Sequence, residues 1–314
     1  MAQSTATDTA AISGRLTPRD WGVRLAAAVR CQWPLLVRRR RTVAGVGAYF
    51  DLVTDDGRLY FGDNFHLGYF QTGRETLHEA HDALTDLVAD LADISAGAQL
   101  LDVGCGIGEP AIRIARKYGC RITGINASRR QVRQGRELVA QAGLTGQIEL
   151  RVGNALALDM PDASVDSVVC LESAGDICVT SAAKVQLVNE LWRVLRPGGS
   201  VGFGDLAFGR TPAADEDKAL RAVFYHTGSE LVGDWPARFA DRGFAVTRYR
   251  DIHTATLATW DVLQEFHQAH FRELCRRNGR PVVAATVRHF DRLVPAIVRC
   301  GRYPTFSAQK PDPA

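Results

Sequence analysis

The chain has 314 residues, of which 46% are hydrophobic and 23% charged, and its formal net charge is +3. That is enough chain to bury a full core, with a composition ordinary for a soluble globular protein. The charge is too small to argue for a nucleic-acid partner, and no apolar run approaches the roughly 18 residues of a membrane span. Seven cysteines, at 31, 105, 120, 170, 178, 275 and 300, show no C-x-x-C spacing, so zinc and redox motifs are not expected. Their scatter through core-like segments fits reduced thiols and a cytoplasmic setting. The basic residues are nearly all arginine, which fits either base composition in the source genome or recognition of carboxylate and phosphate.

Residues 1–18 are polar and rich in small side chains; they lack the h-region of a secretory signal and read as a disordered tail. Trp21, Leu25, Val29, Trp33 and Leu36 follow at near-helical spacing and run into Arg38-Arg39-Arg40-Arg41. This segment reads either as a basic amphipathic helix at a membrane surface or as a cap helix with solvated arginines, broken or kinked by Pro34. Residues 49–70 are dense in aromatics, from Tyr49-Phe50 through Tyr60-Phe61 to Phe65-His66-Leu67-Gly68-Tyr69-Phe70. Aromatics joined by Gly and Asp serve as core or lid, and can equally line an apolar pocket. Leu77, Ala80, Leu84, Leu87, Val88 and Leu91 then have helical period.

From residue 95 the pattern alternates. Strands are predicted at Gln99–Gly104, Arg121–Asn126, Ile148–Val152, Ser167–Leu171, Val201–Leu206, Phe244–Arg250 and Tyr303–Gln309. Helices fall between them at Glu109–Tyr118, from Ser128 as N-cap to Ala142, and at Ala182–Leu195, the last followed by a Pro197-Gly198-Gly199 turn. The alternation predicts a Rossmann-like α/β fold with a seven-stranded, mostly parallel sheet and helices on both faces. The division is a tail (1–18), an N-terminal helical cap (19–94) and a core (95–314) with lid segments near 207–242 and 255–295.

The first strand runs into Asp102-Val103-Gly104-Cys105-Gly106-Ile107-Gly108, a glycine turn that lets the backbone approach a ligand at a helix N-terminus. Alone it is a weak signal, because nicotinamide enzymes use one too. With Gly124-Ile125-Asn126-Ala127-Ser128, Asn154-Ala155 and Leu195-Arg196-Pro197-Gly198-Gly199, however, it resembles the ordered motifs of class I S-adenosylmethionine-dependent methyltransferases over roughly residues 95–250. The nearest resemblance is to natural-product methyltransferases, including the rebeccamycin sugar O-methyltransferases, tocopherol and sterol C-methyltransferases and geranyl diphosphate C-methyltransferases. Phe65-His66-Leu67-Gly68-Tyr69 resembles their lid motif.

The resemblance implies that S-adenosylmethionine is the cofactor, bound along Asp102, Gly104, Cys105, Gly106 and Gly108. Asn126 would take the place of the usual ribose-binding acid, with Gln131 assisting; Asn154 and Ala155 would meet adenine, and Leu171 would end the fourth strand beside it. These positions lie at the carboxyl ends of strands, where such sheets bind ligands. Glu172 is a general base or a structural acceptor. Asp205 is an acid near the reacting centre, a helix cap or a strand-end acceptor.

The rebeccamycin-type enzymes carry a histidine pair after Glu-Ser, where this chain has Gly175-Asp176. That departure favours carbon methylation of an isoprenoid alkene such as a prenyl diphosphate, with Glu172 as base. Phe61, Phe65, Tyr69, Phe208, Tyr225 and Trp235 are the candidate pocket aromatics, some of them ordinary packing. Arg38–Arg41, Arg210, Arg221 and His226 are the candidate anchors for a diphosphate, and magnesium is called for only with such a substrate. The alternative is O- or N-methylation by proximity; more distant are a nicotinamide oxidoreductase and a membrane-associated binding module. Homo-oligomerisation is compatible with caps of this kind.

Overall fold

The computed structural model describes residues 42–178, 180–220 and 231–313. The tail, the Trp21–Val37 segment, Arg38–Arg41, Arg221, Tyr225 and His226 lie outside the described residues.

Helix α1 (Val43–Phe61) is capped by Thr42, whose hydroxyl accepts from the Gly45 amide at 3.1 Å. Helix α2 (Leu77–Leu91) opens with a reciprocal capping box between Thr76 and Glu79. Then come β1 (Gln99–Val103), α3 (Glu109–Tyr118), β2 (Arg121–Asn126), α4 (Arg129–Gln141), β3 (Ile148–Val152) and β4 (Val165–Leu171). Ser128 caps α4 as its sequence position predicts, accepting from the Gln131 amide. A short α5 (Ala174–Ile177) precedes α6 (Ser181–Val194) and β5 (Leu195–Gly204). The remaining elements are β6 (Ala207–Phe208), α7 (Ala214–Leu220), α8 (Asp234–Arg242), β7 (Ala245–Asp251), α9 (His253–Thr256), α10 (Ala258–Ala269), α11 (Phe271–Asn278), α12 (Arg280–Cys300), β8 (Gly301–Arg302) and β9 (Pro304–Gln309).

Seven strands form one sheet in the order β3-β2-β1-β4-β5-β9-β7. Strands β1 to β5 pair in parallel, and β9 runs antiparallel to both β5 and β7. The sheet is mostly parallel, as predicted. Both faces are buried, so its central strands carry apolar side chains on both sides: Leu100 and Val169 face α2, α3 and α4, while Leu101 and Val168 face α6 and α8. The predicted Pro197-Gly198-Gly199 turn is an excursion inside β5, where pairing with β4 jumps from Val165–Leu195 to Ser167–Ser200. The amide of Gly198 donates instead to Lys310.

Sequence periodicity does not single out α1, because Gly45, Gly47, Gly57 and three aspartates interrupt its apolar stripe. Those glycines have a use. A Cβ on Gly47 would lie 2.3 Å from the Ala127 carbonyl oxygen, so only glycine lets α1 cross the loop after β2. Asp51 completes the docking, accepting from the Ser128 hydroxyl at 2.6 Å and the Arg130 amide at 2.8 Å. Among the described residues no helix is long and apolar enough to cross a membrane.

Candidate active site

The carboxyl ends of β1, β2, β4 and β5 open into a cavity of about 700 Å³, roofed by α1, the lid segment around Phe65–Leu67, α10 and α12. Its floor is the glycine turn. Gly104, Cys105 and Gly106 all line it, and the amides of Gly104 and Cys105 are tied to the Ile125 carbonyl, fixing the turn against β2. Gly106 has φ +54, and a Cβ there would meet nothing within 4 Å, projecting into open space that a ligand can fill. Gly108, at φ +85, is the N-cap of α3 and packs behind the turn.

Asp102 is buried beneath the turn. Its Oδ2 has no hydrogen-bond partner, and burial pushes its carboxyl up to about 7. A buried acceptor left open at a cavity wall suits a ligand that brings a cationic donor.

Asn126 and Gln131 both line the cavity, with their amide groups differently engaged. Asn126 donates to the Gly106 carbonyl (3.0 Å) and to Gln131 Oε1 (2.8 Å), and accepts from the Ser128 amide (3.0 Å). Its amide is spent bracing the turn. Gln131 Nε2 is the donor left buried and unpartnered, and Gln131 lines the cavity. Ala155 also lines it, whereas Asn154 is exposed outside it, its carboxamide accepting from the Leu156 amide. Leu171 lines the wall at the end of β4.

Glu172 stands directly after β4 with φ +45, a conformation that costs a non-glycine residue roughly 1–2 kcal/mol. Its amide donates to the Gly204 carbonyl at the end of β5. Both bonds to its carboxyl end on Oε1, from the Leu67 amide at 2.8 Å and the Tyr303 hydroxyl at 2.7 Å. Oε2 is thus the oxygen not already committed. Burial outweighs these two donors and pushes the carboxyl up to about 8.

Asp205 also lines the cavity, and its two oxygens accept from the Gly175 and Leu206 amides, each at 2.8 Å. It ties the start of α5 to the end of β5, which is the strand-end role among its expected alternatives; burial lifts it to about 7. His66 bonds the Leu67 carbonyl and Thr85, and burial pushes it down to about 4, so it stays neutral.

Of the predicted pocket aromatics, Phe61 and Phe65 line the cavity. Tyr69 does not: its backbone pairs with Ala80 and its ring faces a separate groove. Phe208 and Trp235 are core residues, each 1% exposed, and Trp235 packs on Phe203 below the sheet. The rings that do line the chamber beyond Glu172 are Tyr49, Phe50, Tyr60, Trp260 and Phe290. Tyr49, Phe50 and Tyr60 belong to the aromatic-dense segment that the sequence offers as pocket lining, whereas Trp260 and Phe290 carry no signal in the sequence that sets them apart.

The lining carries six acids (Asp56, Asp63, Asp102, Glu172, Asp176 and Asp205) and, among the described residues, no lysine or arginine. Arg210, a candidate diphosphate anchor, is absent from that wall; it forms an ion pair with Glu216 at 2.7 Å, joined by Arg299 at 2.9 Å.

A family model described as a methyltransferase domain matches residues 100–199. The chain is 32% identical over 218 residues to the 27-O-demethylrifamycin SV methyltransferase of Amycolatopsis mediterranei, covering 68% of this chain and 79% of that protein. It is 36% identical over 220 residues to methyltransferase GfsG of Streptomyces halstedii, covering 68% and 77%. Among solved structures, the [4+2]-cyclase SpnF superposes with a TM-score of 0.74 at 29% identity, over 87% of this chain and 98% of that one.

Proposed function

Since the chain belongs to the S-adenosylmethionine-dependent methyltransferases, we propose that it methylates a neutral, largely apolar natural product, with Glu172 receiving the proton the acceptor gives up. The composition of the cavity wall carries this reading: six acids, a ring of aromatics, and no lysine or arginine among the described residues. A diphosphate would be repelled by those carboxyl groups that are ionised and would raise the others further, with no lysine or arginine beside them among the described residues. A neutral acceptor avoids that repulsion.

When bound, the cofactor supplies an electrophilic methyl group on a positively charged sulfur. The chain's own contribution is positioning and proton management. The open oxygen of Asp102 would accept from the cofactor's cationic amino group, and Gln131 Nε2 would donate to one of its hydroxyl oxygens. The aromatic wall excludes water from the nucleophile and holds its apolar body in the chamber. Glu172 takes the proton at Oε2 while Oε1 stays anchored.

A hydroxyl oxygen is the acceptor atom we favour, in keeping with the O-methyl chemistry in the name of the rifamycin relative. Carbon methylation of an isoprenoid alkene is the second reading. The aromatic faces around a lone open carboxyl oxygen support it, since they would stabilise a transient cation.

The test is incubation with methyl-labelled cofactor and a panel of neutral alcohols, phenols, sterol-like alkenes and prenyl diphosphates, with products identified by mass spectrometry. Label on the oxygen of a neutral member is expected. Label on alkene carbon selects the second reading. Label on prenyl diphosphates alone overturns the neutral acceptor.

A further inference from the structure

Tyr303 is fully buried between α12 and β9, and its hydroxyl points at a single atom, Glu172 Oε1. Packing needs only the ring. A buried hydroxyl directed at a carboxyl does something packing does not, since it favours one protonation state and one rotamer. The ring is itself held from its backbone: the Tyr303 amide donates to Asp251 Oδ1 at 3.0 Å, and its carbonyl accepts from the Ile252 amide at 3.0 Å.

We propose that Tyr303 is a positioning residue for Glu172: its hydroxyl, with the Leu67 amide, fixes Oε1 so that Oε2 faces the acceptor, and it keeps the carboxylate ionised while the cofactor's positive charge is in the cavity. The inference rests on the reading of Glu172 as proton acceptor.

The charged and titratable groups around Glu172 define its setting. Asp205 at the end of β5 and Asp176 on α5 oppose a further negative charge, and Tyr303 and Leu67 donate to it. Asp102 and the neutral His66 line the same cavity. Donors to an ionised oxygen bond roughly twice as strongly as donors to a neutral one. Tyr303 and Leu67 therefore oppose the burial that lifts Glu172 to about 8, and removing one of them lifts it further. Arrival of a cation in the cavity acts in the opposite sense, drawing the proton off.

Proton release on cofactor binding reads this directly and needs no acceptor. Calorimetry of S-adenosylmethionine binding to the full chain is run on the acid flank of the proton-release maximum, in buffers of different ionisation enthalpy. The wild type is expected to release protons, and Glu172→Gln to release fewer. Tyr303→Phe should also release fewer, with affinity for neutral S-adenosylhomocysteine unchanged. Once an acceptor is in hand, the acid limb of the kcat profile should move to higher pH in Tyr303→Phe while the acceptor KM stays put. Equal release from wild type and Tyr303→Phe, with Glu172→Gln reduced, overturns the role of Tyr303 and leaves Glu172 standing. Undiminished release from Glu172→Gln removes the underlying reading of Glu172. Should Tyr303→Phe fail to fold, 3-fluorotyrosine at 303 keeps the shape and is a stronger donor. Release must then increase, and no change overturns the proposal.

Discussion

The Tyr303 hydroxyl and Oε1 of Glu172 lie 2.7 Å apart, although 131 positions separate them in the chain. Through that bond the segment following the C-terminal helices is tied to the reacting edge of the sheet. The Leu67 amide on the same oxygen brings in the lid segment. One carboxyl group thus joins three parts of the chain, and the predictions below probe that junction and the cavity around it.

Glu172→Gln preserves volume and both anchoring donors while removing the charge. Methyl transfer should fall by roughly 10²–10⁴, the range for loss of a general base, with affinity for neutral S-adenosylhomocysteine nearly kept. Single-turnover kinetics and calorimetry check the two halves separately. Weakened cofactor binding with turnover spared at saturation would contradict the role of base.

Asp102 and Asp205 are lifted to about 7 and Glu172 to about 8, chiefly by burial, against ordinary values near 4. These three groups therefore hold more protons in the folded chain than in the unfolded one, and their contribution to stability is fully present below about pH 4 and lost as pH rises through 7 to 8. Glu216, held below the ordinary range by Arg210 and Arg299, does not titrate in that window. Thermal unfolding without cofactor should show stability declining from about pH 6 to 8, by at most about 1.4 kcal/mol per group per pH unit. The stabilisation conferred by S-adenosylmethionine should grow over the same range, and that of neutral S-adenosylhomocysteine much less. Parallel behaviour of the two ligands would show that the buried acids do not sense the charge.

At Gly106 an added methyl group enters cavity space at φ +54. Gly106→Ala should reduce S-adenosylmethionine affinity and cost roughly 1–2 kcal/mol of stability from backbone strain. Valine there would add the worse strain of a β-branched residue, so alanine is the cleaner probe. Unchanged affinity by calorimetry would remove the turn from the cofactor site.

Phe290 and Trp235 separate pocket from core. Phe290→Ala opens the chamber and should raise acceptor KM, or broaden acceptor size, with kcat little changed. Trp235 is 1% exposed against Phe203, so Trp235→Ala should cost about 3–5 kcal/mol of stability and leave acceptor choice alone. A selectivity change from Trp235→Ala in folded protein would return that residue to the pocket.

Features that depend on near neighbours are legible along the chain. The bounds of α3, β2 and β3, the Ser128 cap and the Asp102–Gly108 turn were all legible, because periodicity, capping chemistry and glycine freedom act within a few residues. The carboxyl-end position of Glu172 and Asp205 followed from the strand pattern in the same way. Which face a side chain takes, and what it meets there, only the tertiary structure decided. Phe61 and Phe65 line the cavity while Tyr69, Phe208 and Trp235 pack elsewhere, a choice made by helix docking and strand register that composition does not encode. Asn126 braces the turn and holds Gln131 by its Oε1, which leaves Gln131 Nε2 unpartnered at the cavity. Helix α1 reads as broken by glycines until the Ala127 backbone is seen pressed against Gly47. The Tyr303–Glu172 bond is the extreme case. A buried hydroxyl must find an acceptor, but which acceptor depends on where β9 returns beside β5, and that is a property of the closed sheet.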